Sequence, residues 1–488
     1  MPLTRKQQIL AKLETSEGVD SSPAAADAML VFDPTIADDV ANTDRVPAGA
    51  TLSRDFVPMG RKSRTMTFTS DFRGSADTSI PITVPDWGTL LQACAYKSVT
   101  PIRLPITSPT GTGFQLGEIV QKSSTIRGVV IGLINTLVVP NFVTHRLSSD
   151  GDVVVAPIQG TFTSSGTLTG ESSGTTATLG TVANYPGLAY MPTSEKVVTL
   201  TVSSWSSSAP AVGDVLRVRN GSVVVGHAQI TAENSVGTML DFDVTLLAGT
   251  IATGNTLATA DTGGSTATIA TGPTQKRTPS LSFRHNLDGR RRGLVGARGD
   301  FELRGDAGGP LSFSWTFNGE ATASLDAVPV ATSGLSSIRP PRLLGAIVAV
   351  GRTVNTTIGD SAVDFFRLPT KSVGLQAGNT VAPNLDANAA NGSTGANVTD
   401  RDPQISATID QIHSGFDWED FRDNARACRI AVQCGGNTPG QIVGFVAPNV
   451  QVLEAAVADA DGVAAWDLNM RPRRVLEAGD DEIVIFQL

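Results

Sequence analysis

Cysteine is nearly absent: Cys94, Cys428 and Cys434 are the only three in 488 residues. So sparse and odd a set cannot staple a chain of this length, and stability must come from packing and assembly. Aromatic residues make up 5% and charged residues 17% of the chain, while Ser, Thr, Gly, Ala and Val fill long stretches. That mix is poor in the charged faces of amphipathic helices and favours short strands and turns. Basic charge is lacking too: 37 Lys and Arg stand against 46 Asp and Glu, for a formal net charge of -9. A general nucleic-acid binder needs a basic surface to displace counterions from phosphates, so that class is excluded. An acidic wall would instead repel DNA without holding it. No run approaches the roughly 18 apolar residues of a membrane helix. The start, Met1-Pro2-Leu3-Thr4-Arg5-Lys6-Gln7-Gln8, carries charge with no apolar stretch behind it, which predicts no signal peptide, no membrane partner and synthesis in the cytoplasm.

At roughly 100 to 200 residues per domain, the length suggests about two to four domains. Thr4 followed by Gln7, then Ile9, Leu10 and Leu13, predicts a short capped helix ending before Gly18. A second helix is predicted over 86–97, with Asp86 as its cap and Leu90, Leu91, Cys94 and Ala95 on one face. Trp418, Phe421 and Ala425 mark a third by the same spacing. Elsewhere the period is two. In 311–317 the apolar Leu311, Phe313, Trp315 and Phe317 alternate with Ser312, Ser314 and Thr316, the pattern of a strand over a core. Similar alternation in 65–69, 405–409, 466–470 and 483–486 makes the predicted class mainly β.

The middle of the chain repeats itself. The stretch from Gly160 through Gly174-Thr175-Thr176-Ala177-Thr178-Leu179 matches that from Gly249 through Gly264-Ser265-Thr266-Ala267-Thr268-Ile269, at a spacing of roughly 90 residues. Each copy has an upstream partner, Gly117-Glu118-Ile119-Val120 and Gly213-Asp214-Val215-Leu216. Two small β modules in tandem fit this pattern, inserted within a larger domain. The expected division is 1–112, an insert over 113–275, and 276–488. A polar stretch over 379–402, rich in Asn and Ala, reads as a long loop that orders only under a neighbour.

Signatures of catalysis are few. Gly170-Glu171-Ser172-Ser173-Gly174 spells a nucleophile elbow, but no helix is expected after it and the matching segment of the repeat has no serine there, so the reading is a plain turn. His145, His227, His285 and His413 are far apart and none lies in a metal-ligand spacing. The glycines of 293–299 match neither the P-loop nor the dinucleotide fingerprint. No catalytic residue, cofactor or metal is therefore expected. Asp288-Gly289 is a strong turn dipeptide, which puts Arg290, Arg291 and Arg292 at or just beyond a hairpin tip. Two readings stand: a solvated turn, or a basic tip that pairs with acids of an adjacent subunit and sets register between copies. Candidate inter-subunit contacts are then Arg290, Arg291, Arg292 and Arg298, with Asp480, Asp481 and Glu482 on the acidic side.

Several segments together resemble the tail tube proteins of long-tailed (siphovirus-type) bacteriophages. The opening from Gln8-Ile9-Leu10 through Glu17-Gly18-Val19-Asp20 to Ala28-Met29-Leu30-Val31 is similar to that family's first elements. Pro85-Asp86-Trp87 to Ala95-Tyr96 is similar to its helix. The most specific match runs from Leu281-Ser282-Phe283 and Asp288-Gly289 through Gly296-Ala297-Arg298-Gly299-Asp300-Phe301 and Gly308-Gly309-Pro310-Leu311 to Phe317. Trp466-Asp467-Leu468, Arg471-Pro472 and 479–485 resemble its closing strands. The resemblance covers the two ends, about 1–112 and 276–488.

The resemblance implies a β-sandwich carrying one or two short helices. Hairpins from a homo-hexamer would join into a ring whose inner wall is a continuous β-barrel. Stacked rings would form the tail tube of the virion, made in the host cytoplasm. It would meet tape measure, tail tip and terminator proteins and pass double-stranded DNA without specific binding. The insert would decorate the outside. Three other readings stand beside it: a tail completion or terminator protein, a β-rich adhesin or surface-layer protein, and a hydrolase with β appendages.

Overall fold

The structure is a computed structural model. It describes residues 6–488 except 15–16, 43–58, 76–83, 136–140, 143–145, 195–196, 212–213, 234–239, 250, 260–263, 276–277, 328–329, 331–337, 353–364, 411–416, 437–438 and 461. Thr4, His145 and His413 lie outside the described residues. The chain is mainly β, and among the described residues its two α-helices are α1, Asp86–Ala93, and α2, Trp418–Asp423.

The body is built on one antiparallel run of eight strands. In spatial order they are Phe32–Asn42, Met59–Asp71, Ser312–Ala321, Arg290–Asp306, Thr370–Gln376, Gln404–Asp410, Val463–Pro472 and Val443–Ala460. Alternation decides which way each strand faces. Phe313, Trp315 and Phe317 are buried while Ser314 and Thr316 are exposed, as their period of two predicts. Phe68, Phe301, Leu375, Ile405 and Leu468 continue that apolar face across the sheet. The Trp315 indole N–H donates to Ser70 Oγ at 2.8 Å, so the one polar atom of this buried side chain is satisfied.

Both helices cover this core. Trp87, Leu90 and Leu91 of α1 and Trp418 and Phe421 of α2 are buried in it. The expected cap of α1 is displaced by one residue: Pro85 takes the N-cap position, and the Asp86 carboxylate instead accepts from Arg73 Nη2 at 2.8 Å. In α2, Asp417 caps as such a residue should, accepting from the amides of Glu419 and Asp420.

The N-terminal segment is a strand and not the expected helix. Gln7–Leu13 pairs with Leu281–Leu287 residue for residue, from Gln7 opposite Leu287 to Leu13 opposite Leu281. Ile9, Leu10 and Leu13 suit a helical face as well as a strand. Tertiary pairing decides the matter, helped by side-chain bonds of Gln7 to His285 and of Asn286 to Gln8, each at 2.9 Å. The 379–402 stretch is likewise a hairpin, Asn379–Leu385 with Ser393–Arg401. Its strands lie on the body through glycine: a Cβ at Gly395 would sit 2.7 Å from the Gly296 carbonyl oxygen, so only glycine fits this backbone approach.

The repeated segments form two small units with one topology. Strands Val197–Val202, Asp241–Gly249, Val223–Glu233, Val215–Asn220, Thr256–Ala258 and Thr266–Gln275 close into a six-stranded barrel. In the first unit Ile102–Thr110, Gly151–Gln159, Ile126–Asn135, Ile119–Ser123, Thr167–Gly170 and Thr176–Leu179 pair in the same cycle. Its first strand therefore begins at Ile102, ahead of the expected start at 113. Pro105 and Pro109 hide that strand in the sequence, because proline argues against a central strand. Between the units the chain returns to the body, where Leu188–Pro192 pairs with Tyr96–Val99 and Val484–Gln487.

Candidate assembly surface

The face of the eight-stranded run opposite the core is hydroxylic and acidic. One row reads Asp71, Ser312, Arg304, Gly374, Ser406, Asn469, Glu454, each residue directly opposite the next. Neighbouring rows carry Thr69, Ser314, Glu302, Gln376 and Gln404, and Asp306, Ser372, Thr408 and Asp467. Hydroxyl bonds run along the last of these rows: Ser372 to Thr408 and Thr408 to Asp467, each at 3.1 Å. Burial at the sheet pushes the Asp71 carboxyl up, with Arg73 opposing it. Acids outnumber bases on this face, so a polyanion lying along it meets repulsion and hydroxyls rather than cationic grips.

Among the described residues each end of the run has strand pairing on one side only, along part or all of its length. Phe32–Asn42 pairs with one neighbour, Met59–Asp71. The distal part of Val443–Ala460, from Glu454 onward, pairs only with Val463–Pro472, and its Ala455 carbonyl accepts from Arg422 Nη1. Leu453, Val457 and Val463 are exposed there, Val457 by 57%. Unpaired strand edges with apolar side chains invite another chain, and a soluble monomer has reason to avoid them.

The basic tip sits where the sequence puts it. Asp288 and Gly289 have φ of 37° and 96° and turn Leu281–Leu287 into Arg290–Asp306. Among the described residues nothing offers the side chains of Arg290, Arg291 or Arg292 a hydrogen bond or ion pair. Burial, and then the positive charges of Arg292 and Arg64, hold the His285 imidazole below its ordinary range.

The other candidate contacts are engaged inside the chain. Arg298 is 1% exposed; its Nε donates to the Thr278 carbonyl at 2.8 Å and its Nη1 to Glu17 at 3.0 Å and to the Ala396 carbonyl at 2.5 Å. Arg401 bonds Asp480 at 2.8 Å and Glu482 at 3.0 Å, while Asp480 accepts from both the amide and the hydroxyl of Ser194. Burial alone would raise the Asp480 carboxyl, but the Ser194 and Arg401 bonds outweigh it and hold it below its ordinary value. Asp481 accepts the amides of Val475 and Leu476, and burial still pushes it up. Arg298, Asp480, Asp481 and Glu482 thus each have a partner within the chain.

Sequence reasoning missed Arg401, Ser194 and a buried cluster at the first module. Glu118 accepts the amides of Gln115 at 2.6 Å and Ser173 at 3.1 Å, and Arg429 of the body donates to Gln115. Burial raises the Glu118 carboxyl and takes the Arg429 guanidinium down to about 10, each opposed by the other's charge. The repeated Gly-Glu and Gly-Asp of 117–118 and 213–214 was the available signal, but it gave no hint of Arg429, which lies far along the chain. The Gly170–Gly174 segment is a tight turn closed by the Gly174 amide on the Gly170 carbonyl, with Ser172 and Ser173 buried. Among the described residues no three His, Cys, Asp or Glu gather as metal ligands, and no helix is long and apolar enough to cross a membrane. Neither the comparison with protein-family models nor that with curated proteins gives a match to this chain.

Proposed function

We propose that this chain is a non-catalytic structural subunit that joins copies of itself into hexameric rings, which stack into a hollow tube for passage of double-stranded DNA. The proposal follows the resemblance to tail tube proteins of long-tailed phages, and one observation carries it: an eight-stranded antiparallel run with an acidic, hydroxylic face, whose first strand and the distal part of whose last strand are each paired on one side only among the described residues. Edge-to-edge joining of such runs gives a closed wall, with the apolar face and helices outside it and the polar face toward the lumen. In this reading the run and the strands behind its core form the β-sandwich of the tube subunit. The two repeated modules stand on the outside, and tape measure, tail tip and terminator proteins are the further partners in the virion tail. A net charge of -9 per copy suits a lumen that must release DNA quickly. The test is negative-stain electron microscopy of the purified full chain over rising concentration. Rings or hollow tubes of uniform width are expected, and a monodisperse monomer at high concentration would overturn the proposal.

A further inference from the structure

The two repeated units share one topology but are attached in different ways. The first is fused to the body. Leu116, Ile131 and Val154 of the module share one hydrophobic cluster with Ala431, Val446 and Phe486 of the body. A Cβ on Gly117 would lie 3.0 Å from Val446, and Arg429 bonds Gln115 across the junction. The second barrel has a core of its own: Leu200, Leu216, Ile230, Phe242, Leu257 and Ile269 form a cluster with no body residue in it. Among the described residues its strands pair only with one another, and its first and last strands are neighbours, Val198 lying opposite Gln275. The chain therefore enters and leaves the barrel at one place.

Both ends of that root are held by side chains of the body. Just before the barrel, Ser194 gives its amide and hydroxyl to Asp480 at 2.7 and 2.6 Å. Just after it, the Thr278 carbonyl accepts from Arg298. The hairpin strand Ser393–Arg401 is common to both holds: its Ala396 carbonyl accepts from Arg298, and its Arg401 pairs with Asp480.

We infer that the second barrel is a free-standing module rooted on the body by two polar clamps, Asp480 on Ser194 and Arg298 on Thr278, whereas the first module is part of the body's core. A unit of about 80 residues with its own closed core is large enough to fold alone. The clamps then set how the barrel is presented, and each controls one of its two connections. This inference stands on contacts within a single chain and does not depend on the tube reading.

Trypsin tests it on the full-length protein, because Lys196 lies in one connection and Lys276 and Arg277 lie in the other. Asp480→Ala is expected to speed cleavage at Lys196 several-fold and leave Lys276 and Arg277 unchanged, and Arg298→Gln to do the reverse. Cleavage at both should release a barrel fragment that resists further digestion and keeps its own thermal transition. If Asp480→Ala also lowers the body's melting transition, Ser194→Pro removes the same two donors from the other side and gives the same readout. Equal rates at all sites in every variant, or a released fragment that is digested at once, would overturn the inference.

Discussion

Glu118 and Asp214 hold the same position in two copies of one fold. Glu118 accepts the Gln115 amide at 2.6 Å, and Asp214 accepts the Ala211 amide at 2.8 Å. The carbonyl of each then receives an amide from the second strand that follows it, Val130 for one and Ile230 for the other, each at 2.9 Å. What differs is the surroundings: Glu118 is buried beside Arg429, and Asp214 is exposed. Asp214→Ala should therefore cost the barrel about 1 kcal/mol, the net worth of one hydrogen bond. Glu118→Ala leaves a buried guanidinium without its counter-charge and should cost about 3 to 5 kcal/mol. Scanning calorimetry separates the two, and equal losses would contradict the assignment of Glu118 to the junction.

The Asp480 clamp predicts a pH dependence of definite sign. Its carboxyl is held below the ordinary 3.8 in the folded chain, so its contribution is present in full above that value and is lost as pH falls through the depressed folded value. Melting of the wild type and Asp480→Asn over about pH 2 to 5 checks this. The wild-type advantage should be steady at the upper end and close at the lower end. A gap that widened on acidification would contradict it.

Much of the fold was legible in the sequence, and for a common reason. The alternation around Trp315, the α1 and α2 periods, the Asp288-Gly289 turn and the repeat are all local patterns, set by backbone geometry and by which face is buried. The failures are all non-local. Gln7–Leu13 is a strand because Leu281–Leu287 lies beside it, although its own apolar spacing suits a helix. The 379–402 hairpin has little of its own to bury, and is held by Gly296 against Gly395 and by Arg298 on Ala396. The acids of 480–482 are conspicuous in the sequence, but nothing near them names Arg401 as the partner.

Assembly should be sensitive to the open edge and to salt. Val457 is well exposed in the distal part of its strand, which among the described residues pairs with one neighbour, so Val457→Lys should leave the melting temperature within a degree or two and abolish large assemblies. An edge lysine must be desolvated on pairing and repels its equivalents. Because each copy carries -9, wild-type assembly should strengthen as salt rises toward about 0.15 M, where screening reaches roughly 8 Å. Light scattering reads both, and unaltered assembly of Val457→Lys would move the contact elsewhere.

The orientation of the polar sheet face is the central claim, and cysteine labelling reaches it directly, since Cys94, Cys428 and Cys434 are all buried. Ser314→Cys places a thiol in the middle of that face, and Ser222→Cys places one on an exposed turn of the second barrel. With a maleimide carrying a polymer too bulky for a tube lumen, both should react in the dispersed subunit. After assembly, Ser314→Cys should be protected and Ser222→Cys should not. Undiminished labelling of Ser314→Cys in assembled tubes would place that face outside and contradict the account.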